Sequence, residues 1–405
     1  MKYTFSNKIA NLKPSAIREI LKAPATPDTI SFAAGNPAPE SFPVEDMARI
    51  SASIYAESPT LALQYGATDG YTPLRELIEK RQKEKFNIGK SVTRGDDFND
   101  TTIIVSGGQQ GIELACKVFC NEGDAVICEN PTFIGALNAF RSNGAIPVGV
   151  TLEDDGINID KLEKTIKNTP NAKLIYVIPN FQNPAGICTS FDKRVKIYEL
   201  AKKYSLMILE DNPYGELRFA GAEIPSIKSM DTEGIVIYCC TFSKILSAGM
   251  RVGFVIAPDA VASKMVVSKQ TSDVHTNLFF QILCYRYMTE CDLESHIREI
   301  RKIYKHKCNL MLNCLDAEMP MEIKFTRPEG GLFIWGTLPD GVDANAFIKA
   351  ATEKNVRIVP GKTFNCETEA PSQSFRLNYS TPSDEQIVKG VKVLGEIARE
   401  FVKNY

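Results

Sequence analysis

From residue 101 onward, short apolar runs alternate with stretches of helical period. Seven such runs cover 101–106, 125–128, 145–150, 173–178, 206–210, 235–240 and 252–257. Most are followed by a helix-length segment. Buried runs separated by helices predict a largely parallel sheet covered on both faces. The last two runs are joined by too short a connection for a parallel crossover, so one of them is expected to run antiparallel.

Upstream the pattern is different. Residues 1–45 carry Pro14, Pro24, Pro27, Pro37, Pro39 and Pro43, which rule out long helices and predict an irregular arm. Helices are expected over 44–57 and 72–86, with a loop at 63–70 between them. After residue 257 the pattern is helical. A long amphipathic helix from about 293 to 315 leads into a tail with strands at 322–326, 331–337, 356–359 and 374–379. The chain therefore divides into an arm at 1–50 that joins the smaller domain, a large domain at 51–292 and a small α+β domain at 293–405.

Composition narrows the function classes. The 405 residues are 44% hydrophobic and 24% charged, enough for a sizeable core. Basic and acidic residues number 47 and 49, with no basic block, so neither nucleic acid nor an anionic membrane is an expected partner. Eleven cysteines without a CxxC pair fit reduced thiols packed in a cytoplasmic protein. His275, His296 and His306 lack ligand spacing, and no metal is expected. No signal peptide and no membrane-spanning run is legible.

The chemistry gathers where strands end. The run 235–240 leads into Thr241-Phe242-Ser243-Lys244, and Arg251 follows seven residues after the lysine. A lysine desolvated just past a strand loses its charge readily and becomes a nucleophile for aldehydes. Hydroxyls and a guanidinium beside it suit a phosphate. Pyridoxal phosphate satisfies both demands.

Three more strand ends carry polar clusters, where a doubly wound sheet binds its ligands. Ser106-Gly107-Gly108-Gln109-Gln110-Gly111 opens a helix, whose N-terminus favours an anion. Asn183 lies between Gln182 and Pro184 in a loop stiffened by Pro179 and Pro184. Asp211 follows Leu206-Met207-Ile208-Leu209-Glu210, and a carboxylate ending so apolar a strand calls for a cation. A protonated pyridine nitrogen is such a cation, and it makes the ring an electron sink. Each cluster alone also reads as an ordinary turn. Together at successive strand ends they point to one ligand.

This set resembles the fold-type I pyridoxal-phosphate enzymes, specifically the class I/II aminotransferases, and within them the kynurenine/2-aminoadipate aminotransferase group. The resemblance spans Pro14 to Arg376. It implies an α/β fold with a mostly parallel seven-stranded sheet in the large domain. By this resemblance Lys244 forms the Schiff base and shuttles the proton. Asp211 pairs with the pyridine nitrogen, and Asn183 and Tyr214 bond the ring oxygen. Phe133 stacks on the ring, and Gly108, Gln109, Thr241, Ser243 and Arg251 hold the phosphate. Arg376 grips the substrate carboxylate, with Asn183, Gly35 and the arm residue Arg18 close to the substrate. Tyr65 reaches the phosphate of the other subunit in a homodimer with shared sites.

Four positions depart from the family pattern: Ala185 replaces a usual threonine, Ala248 a frequent proline, Gly108 a small hydroxyl residue and Thr241 a serine. The expected activity is transfer of an α-amino group from an L-amino acid to a 2-oxo acid, 2-oxoglutarate in the first place, with ping-pong kinetics. Two readings stand beside it. One is a β-eliminating carbon–sulfur lyase. The other is a cofactor-sensing regulator domain, which is disfavoured because only a short stretch precedes Pro14. Trp335 is expected in the small-domain core.

Overall fold

The computed structural model describes residues 3–10, 12, 14, 19, 20, 22, 26–368 and 370–403. Arg18 lies outside the described residues. The first strand, β1 (Ile30–Ser31), belongs to the small domain and is taken up below. The large sheet holds β2 (Asp100–Val105), β3 (Ala125–Asn130), β4 (Ile146–Glu153), β5 (Gly156–Ile157), β6 (Ala172–Val177), β7 (Met207–Asp211), β8 (Val236–Thr241) and β9 (Gly253–Pro258). Their order is β2-β9-β8-β7-β6-β3-β4-β5.

The strands β8, β7, β6, β3 and β4 run parallel. β9 is antiparallel to both of its neighbours, as the short link from β8 requires. The sheet has eight strands rather than the expected seven. β5 is a two-residue return against the end of β4, too short to leave an apolar run in the sequence.

Alternate residues of the strands feed two cores, one on each face. Leu174 and Tyr176 join one cluster with Ile112, Leu114, Leu137 and Phe140 of the helices Gly108–Phe119 and Ile134–Ser142. Ile175 and Val177 join the other with Ile197 of the helix Phe191–Lys203. β8 and β9 are buried along their whole length. The covered central strands thus leave their polar chemistry to the strand ends.

The smaller domain is built on an antiparallel sheet of order β10-β11-β14-β13. These strands are β10 (Lys324–Phe325), β11 (Phe333–Thr337), β13 (Val359–Pro360) and β14 (Ser374–Asn378). The helices Leu293–Glu318 and Asp384–Lys403 pack on each other. β1 pairs in parallel with β12 (Val356–Arg357), so the N-terminal segment is tied to the small domain. Register places Arg376 between Trp335 on β11 and Val359 on β13, in the middle of this sheet. Trp335 is partly buried, its ring edge-on to Phe364 at 5.8 Å. Among the described residues no helix is long and apolar enough to cross a membrane, and no group of three or more His, Cys, Asp or Glu could hold a metal ion.

Candidate active site

Lys244 ends the short 3-10 turn Phe242–Lys244 that breaks β8. The Thr241 hydroxyl caps this turn by accepting from Ser243 N at 3.1 Å. The Lys244 Nζ donates to the Gly35 carbonyl at 2.8 Å. Burial of its surroundings, together with Arg251 and Arg376, pulls the ammonium pKa down to about 8, against the opposing pull of Asp211. The free amine is therefore far more accessible near neutrality than on an ordinary lysine.

Asp211 ends β7 and is only 4% exposed. It accepts from the Tyr176 hydroxyl at 2.7 Å. Among the described residues no lysine or arginine stands within ion-pair distance of it. Burial raises its pKa to about 7. A buried carboxylate with one neutral donor and no cation is an incomplete site.

Asn183 and Tyr214 are buried and face each other through the amide and the hydroxyl. The Asn183 Oδ1 is taken by Arg376 Nη1 at 2.9 Å, which leaves the amide nitrogen free to donate. Arg376 is 1% exposed and its Nη2 bonds the Ala33 carbonyl at 2.7 Å. Its guanidinium lies over the Phe333 ring at 4.1 Å and the Phe364 ring at 5.0 Å. Its Nε is buried without a hydrogen-bond partner, and burial lowers the pKa to about 10. A fully buried guanidinium with an unused N–H and no carboxylate partner fits an anion supplied from outside the chain.

The phosphate-type groups cluster beside this set. Gly107 has φ +77°, and a Cβ there would fall 2.3 Å from Arg251 Nη2, so glycine lets the loop close on the guanidinium. Arg251 donates to the Ser106 carbonyl at 3.1 Å and reaches Ser243 Oγ at 3.5 Å. Gly108 begins the helix Gly108–Phe119, and its position has room: a Cβ would meet nothing closer than Cys239 Sγ at 3.8 Å. Gln109 Nε2 donates to the Gly135 carbonyl at 2.8 Å. A Cβ on Gly135 would fall 2.4 Å from Phe133 Cζ, so the Phe133 ring folds back over that glycine. The donor set thus matches pyridoxal phosphate: an amine, a lone carboxylate, amide and hydroxyl donors, and a guanidinium at a helix start.

One expected residue, Tyr65, stands apart from this cluster in the described chain. Tyr65 is 80% exposed, edge-on to His275 at 5.8 Å. Gly35 enters through its carbonyl, not through space beside it, since a Cβ there would touch Phe333 at 3.4 Å.

Sequence reasoning missed the supporting residues. Tyr176 sits inside an apolar strand, where its hydroxyl must find a partner, and that need was the available signal. Phe333 and Phe364 look like plain core residues in the sequence. Glu129, at the end of β3, is fully buried, and burial raises its carboxyl pKa to about 8. Its Oε2 accepts from Gln182 Nε2 at 3.1 Å, and Gln182 Oε1 accepts from Ala185 N at 2.9 Å. Gln182 thereby fixes the turn that presents Asn183.

Comparison with known proteins gives consistent results. Residues 27–394 match the family described as aminotransferase class I and II. An aromatic-amino-acid aminotransferase of Thermococcus litoralis is 40% identical over 98% of this chain and 95% of its own length. A kynurenine aminotransferase structure from Pyrococcus horikoshii, in complex with PMP, superposes with TM-score 0.92 at 40% identity, covering 98% of this chain and 97% of that one. An α-aminoadipate aminotransferase structure from Thermus thermophilus, complexed with N-(5'-phosphopyridoxyl)-L-leucine, gives TM-score 0.87 at 35% identity over 99% and 98% of the two chains.

Proposed function

The chain belongs to the class I and II aminotransferases and is a pyridoxal-phosphate-dependent aminotransferase; from that premise we propose the roles of its residues and its substrates. The observation that carries the assignment is the convergence of Lys244, Asp211, Asn183 and Tyr214, from loops at the ends of the large-sheet strands, with Arg376 of the small-domain sheet. The cofactor, when bound, supplies an aldehyde for the amine and a ring that draws electrons from the substrate α-carbon.

Arg251, Ser243, Thr241 and the helix start at Gly108 and Gln109 bind the phosphate. Asp211 pairs with the ring nitrogen and is held in orientation by Tyr176. A cation placed there would offset the burial that raises its pKa and keep the carboxylate ionised. Asn183 and Tyr214 donate to the ring oxygen, and Phe133 covers one face of the ring. Arg376 binds the α-carboxylate of donor and acceptor alike through its unused donor edge. Lys244 is placed to act as the base that would take the proton from the substrate α-carbon and deliver it to the cofactor carbon that carries the nitrogen. The same groups serve both half-reactions, so the kinetics are ping-pong.

The acceptor we assign is 2-oxoglutarate. The donor range includes aromatic amino acids and 2-aminoadipate, the compounds named for two relatives. Arg18, which lies outside the described residues, is assigned to substrate binding. A homodimer is supported by the apolar side chains Leu61, Leu63 and Tyr65 left exposed, beside the Tyr55–Phe279 stack. In that dimer Tyr65 reaches the partner's phosphate. Eleven free thiols support a reducing, cytoplasmic setting.

Borohydride reduction of the holoenzyme followed by peptide mapping tests the assignment. The cofactor mass is expected on Lys244, and its recovery on another lysine would remove the basis of the reading.

A further inference from the structure

Behind the phosphate residues lies a closed network of five side chains. Lys269, on the helix Asp259–Gln270, is fully buried. Its Nζ donates to Asp273 Oδ1 at 2.8 Å, Gln110 Oε1 at 2.9 Å and Thr276 Oγ1 at 3.0 Å. Asp273 Oδ2 accepts from Ser106 Oγ and Gln110 Nε2, each at 2.8 Å. Gln110 Oε1 also accepts from Ser106 N at 2.7 Å. The Ser106 hydroxyl is within 3.0 Å of Thr276 Oγ1. Every branch converges on Ser106, whose carbonyl takes the Arg251 guanidinium at 3.1 Å.

A buried ammonium is kept only where its protons and its charge are both answered. Here both are answered by groups whose common contact is the loop that opens the helix Gly108–Phe119. The same frame extends the other way. Thr276 O accepts from Gln281 Nε2 at 2.7 Å, and Gln281 Oε1 accepts from Tyr71 N at 2.8 Å. The His275 ring meets Tyr65 edge-on. Both chain segments assigned to phosphate are thus anchored on residues 269–281.

We propose that Lys269 and Asp273 are positioning residues for the cofactor phosphate: they hold Ser106, and through its carbonyl Arg251, in phosphate-binding register. Neither touches the phosphate. Thr276 and Gln281 carry the same frame to the loop that bears Tyr65. The proposal rests on the reading of Arg251 as the phosphate arginine.

The test compares binding of pyridoxal 5'-phosphate and of pyridoxal, which lacks the phosphate, to the full-length protein stripped of cofactor. Wild type, Arg251→Ala, Lys269→Met and Asp273→Asn are titrated by the absorbance of the bound chromophore, and the melting of each stripped protein is recorded. Lys269→Met and Asp273→Asn are expected to cut the preference for the phosphorylated form by about tenfold, as loss of an outer partner of a binding group does, with pyridoxal affinity little changed. If either variant fails to fold, Ser106→Ala carries the same expectation. An unchanged preference in the folded variants, or an equal loss for both ligands, overturns the proposal. An unchanged preference in Arg251→Ala instead overturns the phosphate reading on which it rests.

Discussion

Arg376, from the small-domain sheet, and Asn183, from the loop after β6 in the large domain, are joined by a 2.9 Å hydrogen bond from Nη1 to Oδ1. One bond therefore links the group assigned to the substrate carboxylate with the group assigned to the ring oxygen. Arg376→Lys removes the planar fork and leaves the Ala33 carbonyl without its donor. We expect KM for donor and acceptor to rise together by more than about tenfold, the scale of one lost charge-assisted bond, with the cofactor spectrum unchanged. Steady-state kinetics with both substrates decides this. Unaltered KM values would take Arg376 away from the carboxylate.

Among the described residues Asp211 has no cation within ion-pair distance, and its role is assigned to charge alone. Asp211→Asn keeps the shape and the Tyr176 contact while removing the negative charge. The expected result is a fall in kcat of about 10²–10³, the scale of removing a preorganised electrostatic partner, with phosphate-dependent cofactor affinity largely retained. A kcat within a factor of a few of wild type would show that the ring nitrogen does not need this carboxylate.

Gly108 departs from the family pattern, yet its position is open. Gly108→Ser adds a hydroxyl at a helix start without a clash. A new bond to the phosphate is worth about 1 kcal/mol, or roughly fivefold in affinity. Cofactor titration of the variant checks it, and weaker binding would mean that the phosphate does not lie at this helix start.

Glu129 is buried beneath the Asn183 turn, and its pKa is raised from 4.5 to about 8 by that burial. In the unfolded chain the group ionises at its ordinary value, so between about 4.5 and 8 the folded state binds one proton more. Stability contributed by this group therefore falls as pH rises through that window. Glu129→Gln mimics the protonated form and does not titrate. Its melting temperature relative to wild type is expected to climb between pH 5 and pH 8. A pH-independent difference would mean that the carboxyl is ionised in the fold.

Much of this was legible in the sequence, for reasons that differ by element. The strands β2, β3, β6, β7, β8 and β9 are buried along most of their length and so leave continuous apolar runs, whereas β4, near the sheet edge, is largely exposed. β5 has two residues and leaves none. Lys244, Asp211 and Asn183 stand out because each interrupts or ends such a run with a costly polar group. Tyr176 and Phe333 could not be distinguished from core residues, since their partners Asp211 and Arg376 lie 35 and 43 positions away. The Lys269–Asp273 pair reads as an ordinary helical i,i+4 contact, and only the burial of Lys269 sets it apart.

The central claim is that Lys244 and Arg376 serve amino transfer. It is tested most directly by the absorption spectrum of the holoenzyme during titration with amino acids, with no 2-oxo acid present. The band of the lysine-bound cofactor is expected to give way to that of the aminated cofactor, with one 2-oxo acid released per site and no further turnover. A band that persists while pyruvate and ammonia accumulate would contradict it and make the protein a lyase.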